Sequence, residues 1–238
     1  MDPKEVDLII LCGGIGKRLK PITDTIPKPM IPIGESPFLE ILISSIAPYG
    51  FEKFILATGY KGESIEQYFQ KQKGLTFCFS HEKSPLGTAG AVKNCERFLK
   101  TPFFLVINGD SFCPVDYQSL LEFHEQNRAL ATVVVAPDEG SRADAGSIKV
   151  GPNKQILSFQ EKEPGNYLNA GIYVFNRRIL GKIPSGRPFS LEKDLFPDLD
   201  PDEFYAYINA EKLYDIGTPE RLKEFQKIYR QWKSSSPE

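Results

Sequence analysis

Short apolar runs alternate with segments of helical period over the first half of the chain. Residues 6–11 (VDLIIL), 54–58, 75–79, 103–107 (FFLVI) and 132–136 are too short for helices and rich in β-branched or aromatic side chains, so each predicts a strand. Between them Phe38, Leu39, Leu42, Ile43 and Ile46 recur at helical spacing, and Ser64-Ile65-Glu66-Gln67 predicts a capping box opening a second helix. Residues 88–99 and 117–126 predict a third and a fourth. Strand and helix in alternation imply right-handed crossovers, hence an α/β fold with a mostly parallel sheet covered by helices on both faces.

After about residue 137 the pattern changes. Short strands at 147–150, 156–160 and 171–175 are separated by Gly, Pro and Asn turns and read as antiparallel. A helix over 190–196, strands at 204–208 and 213–216, and a last helix from 219 to about 232 complete the chain, with a tail (SSSPE) expected to fray. No repeat, linker or composition break divides the sequence. It predicts a single α/β domain in two halves, 1–136 and a smaller, lid-like 137–238.

Composition narrows the function classes. With 41% hydrophobic and 25% charged residues over 238 positions, the chain has ample apolar surface for a core, and global disorder is excluded. A formal charge of −2 offers no long-range attraction for a phosphate backbone, so a nucleic-acid partner is disfavoured. No stretch reaches the roughly 18 apolar residues of a membrane span, and the opening Met-Asp-Pro-Lys-Glu lacks the flank of a signal peptide. The expected address is the cytoplasm and no membrane partner. Cys12, Cys78, Cys95 and Cys113 form no CxxC pair and His81 and His124 are far apart, which argues against zinc and for reduced, mostly buried thiols.

The densest chemical signal is LCGGIGKRLKPITDTIPKPM, residues 11–30, directly after the first strand. Gly13, Gly14 and Gly16 strip side chains where an α/β sheet presents its carboxyl ends, letting backbone N–H groups approach phosphate oxygens. The spacing is neither GxGxxG nor a Walker A loop. Arg18 and Lys28, around a proline-stiffened bend, supply a planar fork and a point charge suited to a polyphosphate, whereas the bland reading is a glycine turn with solvated cations. Asn108-Gly109-Asp110-Ser111 ends the FFLVI strand, where Asp110 suits Mg²⁺ or makes an Asx turn. Asp215 precedes a helix start marked by Thr218 and Pro219 and offers a second carboxylate. Ser111 is not in GxSxG, so no hydrolase nucleophile is expected. Glu161-Lys162 follows a strand, Asn169-Ala170-Gly171 opens the next, and Glu82 precedes a small-residue loop, PLGTAG, wide enough for a planar base. Each of these also reads as an ordinary turn.

Taken in order, CGGIGKRLKPITDTIPKPM, EKSPLGTAGA, NGD, FQEK, NAGIYVF, SLEKDLFP and YDIGTPERL resemble the sugar-1-phosphate nucleotidyltransferases over residues 8 to about 225. The resemblance implies a Rossmann-like nucleotide-binding sheet and attack of a sugar phosphate oxygen on the α-phosphorus of a nucleoside triphosphate, releasing pyrophosphate. It implies that Arg18 and Lys28 stabilise the triphosphate, that Asp110 and Asp215 hold Mg²⁺, and that Lys162 binds the sugar phosphate. Leu11, Gly13, Gly14, Gly16, Gly87 and Thr88 would line the nucleotide with Glu82 nearby, and Gly109, Glu161, Asn169 and Gly171 would meet the sugar. The first half would thus hold the nucleotide and the second the sugar. Lys17 departs from the family's usual Thr in GGxGTR.

Within the family, LGTAGA and SLEKDLFP resemble the guanylyltransferase branch, so GTP is the expected donor. The compact length, with no hexapeptide-repeat segment, resembles enzymes for D-glycero-α-D-manno-heptose 1-phosphate. Mannose 1-phosphate with GTP, or glucose or MurNAc 1-phosphate with dTTP or UTP, are the alternatives. A non-catalytic sugar-nucleotide-binding regulator would not need two cations and two carboxylates, and a nicotinamide dehydrogenase would need GxGxxG. A homodimer is the default assembly for a soluble enzyme.

Overall fold

The apolar runs of the first half become strands because successive side chains enter hydrophobic layers on opposite faces of one sheet. The computed structural model describes residues 2–137, 147–160 and 167–235. Its strands are β1 (Asp7–Leu11), β2 (Pro32–Ile33), β3 (Ser36–Pro37), β4 (Lys53–Thr58), β5 (Thr76–His81), β6 (Phe103–Asn108), β7 (Ser111–Phe112), β8 (Ala131–Pro137), β9 (Ser147–Val150), β10 (Ile156–Gln160), β11 (Tyr167–Asn176), β12 (Phe204–Ile208) and β13 (Tyr214–Asp215). The helices are α1 (Phe38–Ile46), α2 (Gly62–Phe69), α3 (Gly87–Asn94), α4 (Tyr117–Gln126) and α5 (Pro219–Ser235).

The main sheet runs β10-β9-β11-β6-β1-β4-β5, with β8 on β11 and β12 on β8. Its β6-β1-β4-β5 portion is parallel throughout. From there β11 turns antiparallel to both β6 and β8, β9 and β10 continue antiparallel, and β12 returns parallel to β8. The change of direction therefore lies between β6 and β11, and a strand of the second half separates two strands of the first. The two halves share one sheet.

Leu8 and Ile10 of β1, Phe54 and Leu56 of β4, and Leu105 and Ile107 of β6 enter one core with α1, α2, α4 and α5. Ile9, Ile55, Ala57, Phe104 and Val106 enter the other, with α3 and the 191–196 turn. Strands buried on both faces need continuous apolar sequence, which is why they stand out in the chain. Each large side chain so buried contributes about 1.5–3 kcal/mol.

Several local expectations are corrected. No capping box opens α2: the helix starts at Gly62 behind Lys61 in the left-handed region, so Ser64 lies inside its first turn, where its Oγ donates to the Lys61 carbonyl at 2.8 Å. The helix expected over 88–99 ends at Asn94 and continues as a 3₁₀ turn, Glu96–Phe98. That over 190–196 is a single π turn, Leu191–Leu195, capped by Ser190. α5 persists to Ser235 because Trp232 packs on Phe112, Tyr214 and Phe225. The four cysteines are free, three of them buried and Cys78 half-buried. Among the described residues no helix is long and apolar enough to cross a membrane.

Candidate active site

The strand order reverses between β1 and β6, and the crevice of such a sheet lies outside the carboxyl ends of the strands that flank the reversal. β1 delivers Leu11, Cys12 and Gly13 there; β6 delivers Asn108, Gly109 and Asp110. The Gly109 N–H donates to the Leu11 carbonyl at 2.9 Å, and a Cβ on Gly109 would stand 2.7 Å from that same oxygen. Glycine is thus dictated by the approach of two strand ends. Glu82 fills the space beside Gly13: Cβ atoms on Gly13 or on Gly59 would each lie 2.6 Å from its Oε1. Its Oε2 accepts the Leu86 N–H at 3.1 Å, and burial pushes the carboxyl up against that bond. Gly14 differs, since among the described residues no neighbouring atom comes within 4 Å of the Cβ position.

The loop beyond is clamped. Gly16 adopts φ 66°, and its carbonyl accepts the Thr23 hydroxyl at 3.0 Å. Tyr60 donates to the Thr23 carbonyl at 3.0 Å and Lys61 to that of Asp24. This path brings Lys28, 8% exposed, to the end of β6, where its Nζ meets Asp110 Oδ2 at 2.5 Å. Asp110 Oδ1 accepts the Ser111 hydroxyl at 3.1 Å. Burial alone would push this carboxyl up; Lys28, the Ser111 hydroxyl and the charge of Arg18 outweigh it and hold it below the ordinary carboxylate range.

Asp215 reaches the same place through a strand pair. β13 lies antiparallel to β7 with Asp215 opposite Ser111, and the Ile216 N–H donates to the Asp110 carbonyl at 3.0 Å. The Asp215 carboxylate accepts Arg221 Nη1 at 3.0 and 3.2 Å and the Gly217 N–H at 2.7 Å. A Cβ on Gly217 would stand 3.3 Å from Arg18 Nη2, so that guanidinium lies against the same turn. Arg18, Lys28, Asp110 and Asp215, far apart in sequence, converge at one end of the sheet. Among the described residues no three His, Cys, Asp or Glu side chains form a metal cluster. Two carboxylates, Asp110 and Asp215, are nevertheless the oxygen ligands that would suit a hard divalent cation.

On the second-half side, β11 bulges between Asn169 and Tyr173, with Gly171 at φ 72° and its Cβ position 2.7 Å from Asn108 Nδ2. The Asn169 Oδ1 accepts the Gly171 N–H at 2.9 Å, and its Nδ2 donates to the Tyr173 hydroxyl at 2.8 Å. Gly87, φ 71°, opens α3 against the Phe189 carbonyl. Thr88 turns its hydroxyl to Glu192 Oε2 at 2.9 Å while accepting the Leu191 N–H at 2.8 Å. Glu161 and Lys162 lie outside the described residues. Sequence reasoning passed over Gly59, Asn108, Tyr173, Glu192 and Arg221, although all but Gly59 sit inside or beside motifs it quoted.

Known proteins resemble the chain over most of its length. The nucleotidyl transferase family model matches residues 8–231, and the chain belongs to that family. It is 38% identical over 228 residues to the mannose-1-phosphate guanylyltransferase of Mycobacterium tuberculosis, covering 92% of this chain and 63% of that protein. It is 34% identical over 227 residues to the D-glycero-α-D-manno-heptose 1-phosphate guanylyltransferase of Aneurinibacillus thermoaerophilus, covering 93% of this chain and 97% of that one. HddC from Yersinia pseudotuberculosis, crystallised with GMP-PN, superposes with a TM-score of 0.83 at 30% identity over 94% of this chain and 99% of its own.

Proposed function

We propose that this protein transfers a guanylyl group from GTP to a sugar 1-phosphate, with D-glycero-α-D-manno-heptose 1-phosphate as the preferred acceptor, releasing pyrophosphate. The observation that carries the reading is the convergence of Arg18 and the Lys28–Asp110 ion pair with Asp215 at the strand reversal beyond a glycine loop. The base is argued from the guanylyltransferase relatives and from the fold shared with the GMP-PN complex. For the sugar, nearly the whole of the heptose 1-phosphate relative has a counterpart here. Mannose 1-phosphate is the second reading, on the 38% identity to the mycobacterial protein.

A phosphate dianion is already a nucleophile near neutral pH, so the reaction asks for alignment and charge neutralisation rather than a general base. In this reading the acceptor's phosphate oxygen forms a bond to the α-phosphorus as the bond to pyrophosphate breaks. Leu11, Gly13, Gly14, Gly16, Gly87 and Thr88 line the nucleotide, braced by Glu82. Gly109, Glu161, Asn169 and Gly171 meet the sugar and Lys162 its phosphate, so the 1–136 half serves the donor and the 137–238 half the acceptor, with Gly109 the one first-half residue on the sugar side. Arg18 and Lys28 oppose the charge that develops on the leaving pyrophosphate. Mg²⁺ held by Asp110 and Asp215 would supply further neutralisation across the phosphate oxygens.

The test is Mg²⁺-dependent pyrophosphate release with GTP, UTP, dTTP, CTP and ATP, each crossed with heptose, mannose, glucose and MurNAc 1-phosphates. Turnover with GTP and the heptose is expected. Turnover elsewhere in the grid reassigns base or sugar, and silence throughout with nucleotide still bound makes the chain a binding protein.

A further inference from the structure

Beneath the candidate site lies a polar group that the roles above do not use. Tyr173 is fully buried, its ring stacked 5.7 Å from Phe175 and tilted 5.6 Å from Phe196. Its hydroxyl cannot reach water, so it must find partners inside the protein. It donates to Glu192 Oε1 at 3.4 Å and accepts from Asn169 Nδ2 at 2.8 Å. Glu192, on the π turn, accepts in addition from Thr88 Oγ1 and Ser190 Oγ, both at 2.9 Å on Oε2. One chain of hydrogen bonds thus runs from Asn169 through Tyr173 and Glu192 to Thr88.

We infer that Tyr173 and Glu192 are positioning residues, a buried strut that fixes the orientation of the Asn169 amide for a sugar hydroxyl and ties that side of the site to the nucleotide side at Thr88. The inference rests on the function proposed above for its substrates but not for its geometry. The polarity of the chain is the argument. Glu192 only accepts, so the single phenolic proton must point at it, and the phenol is left to accept from Asn169. The Asn169 oxygen is then free to take the Gly171 N–H at 2.9 Å, with Gly171 held left-handed against Asn108. Asn169 keeps one N–H and one lone pair for a ligand, in one orientation only. A π turn is a frequent mark of a functional site, and here it aims Glu192 at the strut.

Tyr173→Phe deletes the phenol but keeps the buried ring. Glu192→Gln keeps shape and packing but has one oxygen where two are used. The two 2.9 Å bonds hold that oxygen on Thr88 and Ser190, so the NH₂ faces Tyr173 and reverses the bond there. Both variants, in the full chain, should raise KM for the sugar 1-phosphate about tenfold, with KM for the nucleotide and kcat within about threefold, and the double variant should be no worse than either alone. A role confined to stability would lower Tm and leave the ratio of the two KM values in place. A readout without ligand accompanies the kinetics: hydrogen exchange of the Asn169 side-chain amide, identified by its loss in Asn169→Asp, should accelerate in both variants. Unchanged exchange overturns the strut, and faster exchange with unchanged KM overturns its positioning role. If the parent protein turns over no sugar phosphate, the proposed function fails while the exchange data still decide the strut.

Discussion

Lys28 Nζ and Asp110 Oδ2 meet at 2.5 Å, the lysine side chain 10% exposed and the carboxylate 38%. Each group therefore holds the other in place at the mouth of the crevice. Removing the cation leaves the Asp110 carboxylate without its ion-pair partner and, on the proposed function, removes a charge that opposes the one developing on pyrophosphate. Lys28→Met preserves the chain's packing and should lower kcat about a hundredfold or more, with a smaller change in the nucleotide's KM. Steady-state kinetics decide it: an unchanged kcat takes Lys28 out of the chemistry.

Two glycines of the same crevice should respond differently to one methyl group. At Gly109 the new Cβ would press on the Leu11 carbonyl, a backbone atom that cannot swing away, so Gly109→Ala should lower Tm and displace Asp110, reducing kcat. At Gly14 the methyl would meet no neighbour among the described residues, so Gly14→Ala should leave Tm within a degree or two while raising the nucleotide's KM about tenfold. If Gly14→Ala binds nucleotide as the parent does, that open space is not the ligand's.

The contrast between these glycines also shows what sequence could reveal. β1, β4 and β6 were legible because burial on both faces leaves an unbroken apolar run, and the glycine loop because small residues after such a strand have few other uses. The start of α2 was misread, since Ser64 could open a capping box only as N-cap, and the helix begins two residues earlier at Gly62, behind Lys61 in the left-handed region. Tyr173 read as one more strand residue because nothing local reveals that its hydroxyl faces Asn169 and Glu192. The insertion of β11 between β6 and β8 depends on pairing across the whole chain and leaves no local trace.

Arg221 was overlooked for a related reason: it lies one helical turn after Thr218 and reads as a solvated cation. In the fold its Nη1 spans both oxygens of Asp215. An arginine so placed fixes the carboxylate's direction yet competes with a metal for the same lone pairs. Arg221→Gln should raise the Mg²⁺ concentration for half-maximal activity about tenfold if orientation dominates, with the fold retained. A fall in that concentration would show that competition dominates and that Asp215 needs no holder.

His124 provides a test of the fold that is independent of catalysis. The ring is buried between α4 and β8, its Nδ1 2.8 Å from Thr132 Oγ1, its face edge-on to Phe103, and its Nε2 without a hydrogen-bond partner among the described residues. Burial pushes its pKa down from 6.5 to about 4. The folded protein therefore resists a proton that the unfolded chain accepts readily. Above pH 6.5 neither state is charged at this ring and its titration costs nothing. As pH falls from 6.5 towards 4 the unfolded state gains protons first, so stability is lost over that window, by up to about 3 kcal/mol, and the loss levels off below 4. Other groups titrate in the same range, but a difference between two proteins removes what they share. His124→Gln, which retains a partner for Thr132, should be less stable than the parent at pH 7.5, and the gap should close or invert by pH 4.5 in urea unfolding. Parallel stability curves would mean that water reaches Nε2 and that the ring titrates as an ordinary histidine.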